Sequence, residues 1–237
     1  MPSTVSPDLD HASAGRFLNE PAFGSTRAHR KGHLMKSIDE TTRTTEASGW
    51  RVVDIVVAAV LGVAVGLIFY AWNVIGYPWY QAADALTPGL GGLFAGVWYL
   101  GGPVGGLIIR KPGAAIFVEM IAAITSTLLG NVWAAETLLS GFAQGLGAEL
   151  VFLAVRYQKV NLPIALLAGA GAGFGAWVLE LFTRANFAKG AEYLLIYLGT
   201  NLISGAILAG LFAWVLAKAL AATGVLSRFS VDSDVRV

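Results

Sequence analysis

The sequence predicts an all-α polytopic membrane protein: six transmembrane helices in a bundle, both termini cytoplasmic. Three observations lead there. Apolar types make up 56% of the 237 residues and charged types only 13%, where an average soluble chain carries about 25% charged residues. From Val52 onward the chain runs as apolar stretches long enough to cross ~30 Å of hydrocarbon, which takes roughly 17–25 helical residues. Lys and Arg fall unevenly on alternate joints between those stretches.

Residues 1–49 come first and differ from the rest. They hold all three His, at 11, 29 and 33, with Ser, Thr and Pro throughout. No window there repeats apolar residues at helical spacing, so a disordered cytoplasmic tail is expected. It is not a signal peptide, since no apolar run follows its basic residues until Val52. Met35 opens Met-Lys-Ser-Ile-Asp-Glu and offers an alternative translation start, which a native peptide beginning before it would exclude. Six runs follow within a transmembrane domain at 50–222: 52–74, 88–109, 112–130, 134–155, 162–183 and 194–220. Their joints carry breakers or charges: Gly76 and Pro78, Arg110-Lys111-Pro112, Gly130-Asn131, Arg156 to Pro163, and Arg184 to Glu192. The runs are rich in Ala, Leu and Gly and lack period-two alternation, which favours helices over barrel strands. Gly101-Gly102-Pro103 interrupts the second run and is the place where it would break. Residues 223–237 form a short cytoplasmic tail.

With the N-terminus inside, the cytoplasmic segments hold fourteen Lys and Arg, and the outer segments only Arg184 and Lys189. The asymmetry survives removal of everything before Met35. Net charge is only +1, which argues against nucleic-acid binding by bulk charge. The chain has no Cys, so disulfides, thiolate metal sites and cysteine nucleophiles are excluded. No catalytic triad, metal-ligand spacing or ATP-binding loop is present, and no cofactor is expected. Gly169, Gly171, Gly173 and Gly175 lack the strand and the Lys-Ser/Thr of a phosphate loop and point to close helix packing. Ala58, Gly62 and Gly66 place small side chains on one face of the first run, with Asp54 a turn earlier. Packing within the bundle and docking of a membrane partner are both open for that stripe.

Ionisable groups inside runs are costly in hydrocarbon and normally face protein or a wet cavity. Glu119 falls near mid-depth. Glu149 lies ~22 Å along the fourth run from Ala134 at 1.5 Å per residue, where a cation such as Arg110 or Arg156 is its structural partner. Glu180 stands four residues before Arg184, the spacing of an exposed ion pair. At the outer end Tyr70, Trp72 and Asn73 close the first run, and Tyr77, Trp79, Tyr80, Gln81 and Asp84 are expected in the following loop. Asn131, Trp133, Glu136, Trp177, Glu180, Glu192, Tyr193, Tyr197 and Asn201 gather at the same level. An interfacial belt explains Trp and Tyr but not the acids and amides among them. Rings with carboxylates suit a flat cationic ligand, and amides read a heteroaromatic edge.

Four stretches carry a family resemblance: Trp50-Arg51-Val52-Val53-Asp54-Ile55-Val56-Val57-Ala58, Ile109-Arg110-Lys111-Pro112-Gly113-Ala114-Ala115, Leu129-Gly130-Asn131, and GFAQGLGAE at 141–149. They resemble the YkoE-type substrate-binding subunits of energy-coupling-factor (ECF) transporters, over residues 50 to about 222. The resemblance implies a six-helix bundle that captures thiamine or its hydroxymethylpyrimidine precursor outside the cell. It implies as partners a transmembrane coupling (T) subunit and cytoplasmic ATPase subunits. In related subunits small residues on the first helix face the coupling protein, so Asp54, Ala58, Gly62 and Gly66 are the expected docking set.

On depth and chemistry the expected substrate-binding residues are Trp133, Glu136, Trp177, Glu180, Tyr197 and Asn201, with Gln144 and Glu119 on the floor. Two other functions stay open on residues alone. One is a self-contained transporter of a small amine with Glu119 and Glu149 as a proton relay. The other is an intramembrane enzyme, disfavoured by the missing nucleophile and metal ligands.

Overall fold

A computed structural model describes residues 49–224 except residue 132. The chain divides after Gly49 into two units, and every helix below belongs to the second. The expectations for the N-terminal tail, for Met35 and for most of the C-terminal tail lie outside the described residues.

Every regular element among the described residues is helical. Helix α1 is Val52–Leu86. The second run is a 3-10 helix, Leu90–Tyr99, followed by α2, Gly101–Ile109. Then come α3 (Ala114–Leu128), α4 (Glu136–Ala154) and α5 (Leu162–Thr183). A short turn at Asn186–Lys189 leads to α6 (Ala191–Ser204), which passes through a π-helical stretch at Gly205–Leu211 into α7 (Phe212–Ala222). Five of these helical stretches are long and apolar enough to cross a membrane: Val52–Leu86, Leu90–Ile109, Glu136–Ala154, Leu162–Thr183 and Ala191–Ala222. The third run, expected at 112–130, forms a helix of 15 residues, about 22 Å long and shorter than the others.

Helix α1 corrects the first boundary. It continues through Gly76 and Pro78 for 35 residues, so Tyr77, Trp79, Tyr80, Gln81 and Asp84 are helical rather than in a loop. Proline inside a helix removes one donor and crowds the preceding turn. Contacts on either side of it hold the helix in place: Trp72 Nε1 donates to the Phe94 carbonyl at 2.9 Å and Gly89 N to Asp84 Oδ1 at 2.7 Å. Tertiary packing overrides the local break. The break expected at 101–103 is present as a change of helix type at Leu100, with Pro103 in the first turn of α2, where its missing N–H costs nothing.

Helix α2 is the centre of the bundle, with all nine residues buried. Its 3-10 lead-in lies against α6, where Thr200 Oγ1 donates to Gly89 O at 2.8 Å and Ser204 Oγ to Gly92 O at 2.6 Å. On α1 the apolar side chains of Val60 and Leu67 are 63% and 53% exposed, an outer surface suited to lipid. The opposite face carries the small-residue stripe. Asp54, Ala58, Gly62 and Gly66 are buried, and a Cβ on Gly62 would come within 2.5 Å of the Ile121 side chain. The stripe packs α1 on α3 of its own chain, because small residues let two helix backbones approach. In this structure α3 covers that face.

Three of the stretches that carry the family resemblance meet at one end of the bundle. Asp54 pairs with Arg51 at 2.9 Å and Lys111 at 2.7 Å, and Trp50 Nε1 donates to the Pro112 carbonyl at 3.0 Å. Glu149 of α4 accepts from the backbone N–H groups of Gly113 (2.7 Å) and Ala115 (3.1 Å). Gly113 takes φ +88° there, a conformation that favours glycine. The carboxylate thus caps the N-terminus of α3, where free donors and the helix dipole attract an anion. Glu149→Ala should lower stability by about 1–3 kcal/mol, the cost of leaving buried donors unpaired, with Glu149→Gln intermediate. Thermal unfolding in detergent measures this, and an unchanged midpoint for Glu149→Ala would contradict the capping role.

Candidate functional site

At the other end, beside the α3–α4 and α5–α6 connections, helical spacing aims polar and aromatic side chains at one cavity. Phe69, Asn73, Tyr77 and Tyr80 come from α1, Glu119, Ala123 and Ser126 from α3, and Thr137, Ser140 and Gln144 from α4. Each set recurs at three or four residues, so each lies on one helix face. Trp98 and Tyr99 add a wall from the 3-10 helix, Glu180 and Arg184 from the end of α5, and Tyr197 from α6. The cavity is partly open at its mouth and is walled by both polar and aromatic side chains, the mixture typical of small-molecule sites.

Four rings make an aromatic cage. Trp133 meets Tyr77 edge-on with centroids 4.9 Å apart and Trp98 at 5.4 Å, while Tyr80 meets Trp98 at 6.3 Å. Such edge-to-face pairs are favourable for aromatic quadrupoles. Polar groups behind the rings fix them: Trp98 Nε1 donates to Asn73 Oδ1 at 2.8 Å, and Asn73 Nδ2 to Ser126 Oγ at 3.1 Å. Asn131 Oδ1 accepts from the N–H groups of Trp133 and Ala134 and from Thr137 Oγ1. It therefore sets the turn that carries Trp133.

The carboxylates stand at two depths. Glu119 is fully buried, and its Oε2 accepts from Gly102 N at 2.6 Å. The Gln144 amide, in the orientation that satisfies both of its ends, donates to Glu119 Oε1 at 3.2 Å and to the Trp98 carbonyl at 2.9 Å, and accepts from Ser140. Nearer the mouth, Tyr80 donates to the Tyr197 hydroxyl at 3.3 Å, and Tyr197 to Glu180 Oε2 at 2.5 Å. Arg184 Nε lies 3.1 Å from Glu136 and 3.8 Å from Glu180. Burial disfavours the Arg184 charge, but the carboxylates of Glu180 and Glu136 more than offset that and raise its pKa.

Six expected binding residues, Trp133, Glu136, Glu180, Tyr197, Gln144 and Glu119, line this cavity together. Trp177 and Asn201 do not. Trp177 stacks on Phe174 and donates to the Leu194 carbonyl. Asn201 is buried behind the wall, accepting from the Tyr99 hydroxyl and donating to the Tyr197 carbonyl at 2.7 Å. The sequence reading left Asn73, Tyr77, Tyr80, Trp98, Tyr99, Ser126, Asn131 and Arg184 out of the set. Asn73, Tyr77 and Tyr80 stand at i, i+4 and i+7, a signal visible only once the helix is carried through Pro78.

A helical membrane protein with an aromatic and acidic cavity at one end is the class these features define. Residues 53–175 match the family model described as the permease component of ABC-type cobalt transport systems. The putative HMP/thiamine permease protein YkoE of Bacillus subtilis (strain 168) is 35% identical over 187 residues, 79% of this chain and 92% of that protein. A crystal structure of an S-component of an ECF transporter superposes with a TM-score of 0.67 at 32% identity, covering 79% of this chain and 94% of the other. The chain belongs to the YkoE-type family of ECF transporter S-components, and is a multi-pass membrane transport protein.

Proposed function

We propose that this chain is the capture subunit of an ECF importer and binds thiamine or its hydroxymethylpyrimidine precursor in the cavity described above. The observation that carries the reading is the meeting of four rings and three carboxylates in that one cavity. The relative's own name, an HMP/thiamine permease, supports the same ligand class. In this reading the cage faces stack on the ligand's rings and attract positive charge. Glu136 and Glu180 offset a thiazolium. Glu119, held at the floor by Gly102 and Gln144, offers carboxylate oxygens as acceptors to an aminopyrimidine's amine.

The reading takes Ala114–Leu128 as a sixth crossing beside the five longer helices, with both termini cytoplasmic and the cavity opening outward. The fourteen-to-two distribution of Lys and Arg supports that orientation. No motor is expected in the chain, so a separate coupling subunit and ATPase subunits drive release inward. A metal cargo, which the family description would suggest, has less support: the described residues contain no group of three or more His, Cys, Asp or Glu placed to hold an ion. The chain is not expected to be an enzyme. The proton relay is disfavoured by Glu149, which is engaged in capping α3.

Calorimetric titration of the purified chain in lipid nanodiscs with thiamine and hydroxymethylpyrimidine tests the assignment. Trp133→Ala removes the ring that touches both Tyr77 and Trp98 and should weaken binding roughly tenfold or more, as for a central aromatic contact. Wild-type affinity in that variant would remove the cage from the site.

A further inference from the structure

The cavity contains a cation of its own. Arg184 reaches two carboxylates from two helices, and both contacts run through Nε, at 3.1 Å to Glu136 and 3.8 Å to Glu180. Neither is the two-pronged pair that makes an Arg–carboxylate contact strong. The Arg184 side chain is 36% exposed, whereas Glu180 is only 14% exposed and is fixed by the Tyr197 hydroxyl. A partly exposed single-point ion pair contributes little, so this cation is the displaceable member of the group. Its place at the C-terminal cap of α5 suits any positive charge, but a helix end does not require a side chain turned into a cavity between Glu136 and Glu180.

We infer that Arg184 is a tethered counter-ion that sets the charge selectivity of the cavity, holding one of the two mouth carboxylates in balance so that neutral and cationic ligands are both admitted. The inference rests on the ligand class proposed above. With Arg184 in place, Glu136 and Glu180 together present one uncompensated negative charge. Without it they present two, and the pull on a cation grows while a neutral ring is unaffected.

The test compares wild type, Arg184→Gln and Arg184→Lys in nanodiscs, titrated with thiamine, which is cationic, and with hydroxymethylpyrimidine, neutral at the working pH of 8. Arg184→Gln should tighten thiamine roughly tenfold, the order expected for one charge at close range in a partly exposed site. Hydroxymethylpyrimidine should change less than about twofold. Arg184→Lys keeps the charge and should keep the wild-type ratio of the two affinities. A ratio unmoved by Arg184→Gln, or equal weakening of both ligands, would overturn the counter-ion role and leave Arg184 a structural residue. Wild type that binds neither compound would overturn the ligand class itself, and the selectivity role with it.

Discussion

Glu180→Gln is expected to reduce thiamine affinity at least tenfold, and to reduce affinity for neutral hydroxymethylpyrimidine far less. Glutamine keeps the shape and still offers an acceptor to Tyr197, so the 2.5 Å contact changes in charge rather than in geometry. What is lost is the fixed carboxylate that Arg184 now partners at 3.8 Å. A charge-assisted contact at a mostly buried site contributes about twice a neutral one, and a tenfold loss corresponds to about 1.4 kcal/mol. Calorimetry on the variant measures it directly. Unchanged thiamine affinity in both Glu180→Gln and Trp133→Ala would withdraw the site assignment as a whole.

The second large effect is on the fold. Helices α4 and α5 touch through Gly147 and Gly171, and a Cβ on Gly147 would lie 2.0 Å from the Gly171 carbonyl oxygen. Backbone cannot rotate aside as a side chain can, so Gly147→Ala must push the helices apart. Overpacking of this kind costs typically 1–3 kcal/mol and sometimes more. A clear drop in the unfolding midpoint in detergent is expected, with loss of ligand binding, because Gln144 sits one turn away on α4. Gly199→Ala is the matched control. Nothing lies within 4 Å of that position, and alanine favours a helix over glycine by about 1 kcal/mol. A Gly147→Ala variant as stable as Gly199→Ala would contradict the close packing.

The helical class and the membrane location were legible because hydrocarbon thickness imposes run lengths that composition cannot hide. Boundaries were less so. Pro78 reads locally as a break, yet contacts to other elements, Trp72 to Phe94 and Tyr77 to Trp133, hold the helix on both sides of it, and no local rule contains them. The same blindness removed Tyr77 and Tyr80 from the expected site. Trp98 and Tyr99 lie inside an apolar run, where an aromatic pair gives no sign that its helix is 3-10 and faces a cavity. Depth arguments did place Trp133, Glu136, Glu180 and Tyr197 near one end, with Glu119 and Gln144 on a floor beneath them. They failed to separate Trp177 and Asn201, since depth gives height along a helix but not the direction in which a side chain points. The small-residue stripe on α1 was ambiguous for a related reason. Close approach to a helix of the same chain and to a partner's helix need the same residues.

The central claim is that this chain holds a vitamin-like solute without moving it. Purified protein reconstituted alone into proteoliposomes, given labelled thiamine and an imposed proton gradient, tests it most directly. The account predicts saturable binding that stops at the number of protein sites, with accumulation only when a coupling subunit and ATPases are added with ATP. Concentrative uptake by the chain in vesicles containing no other protein would contradict it.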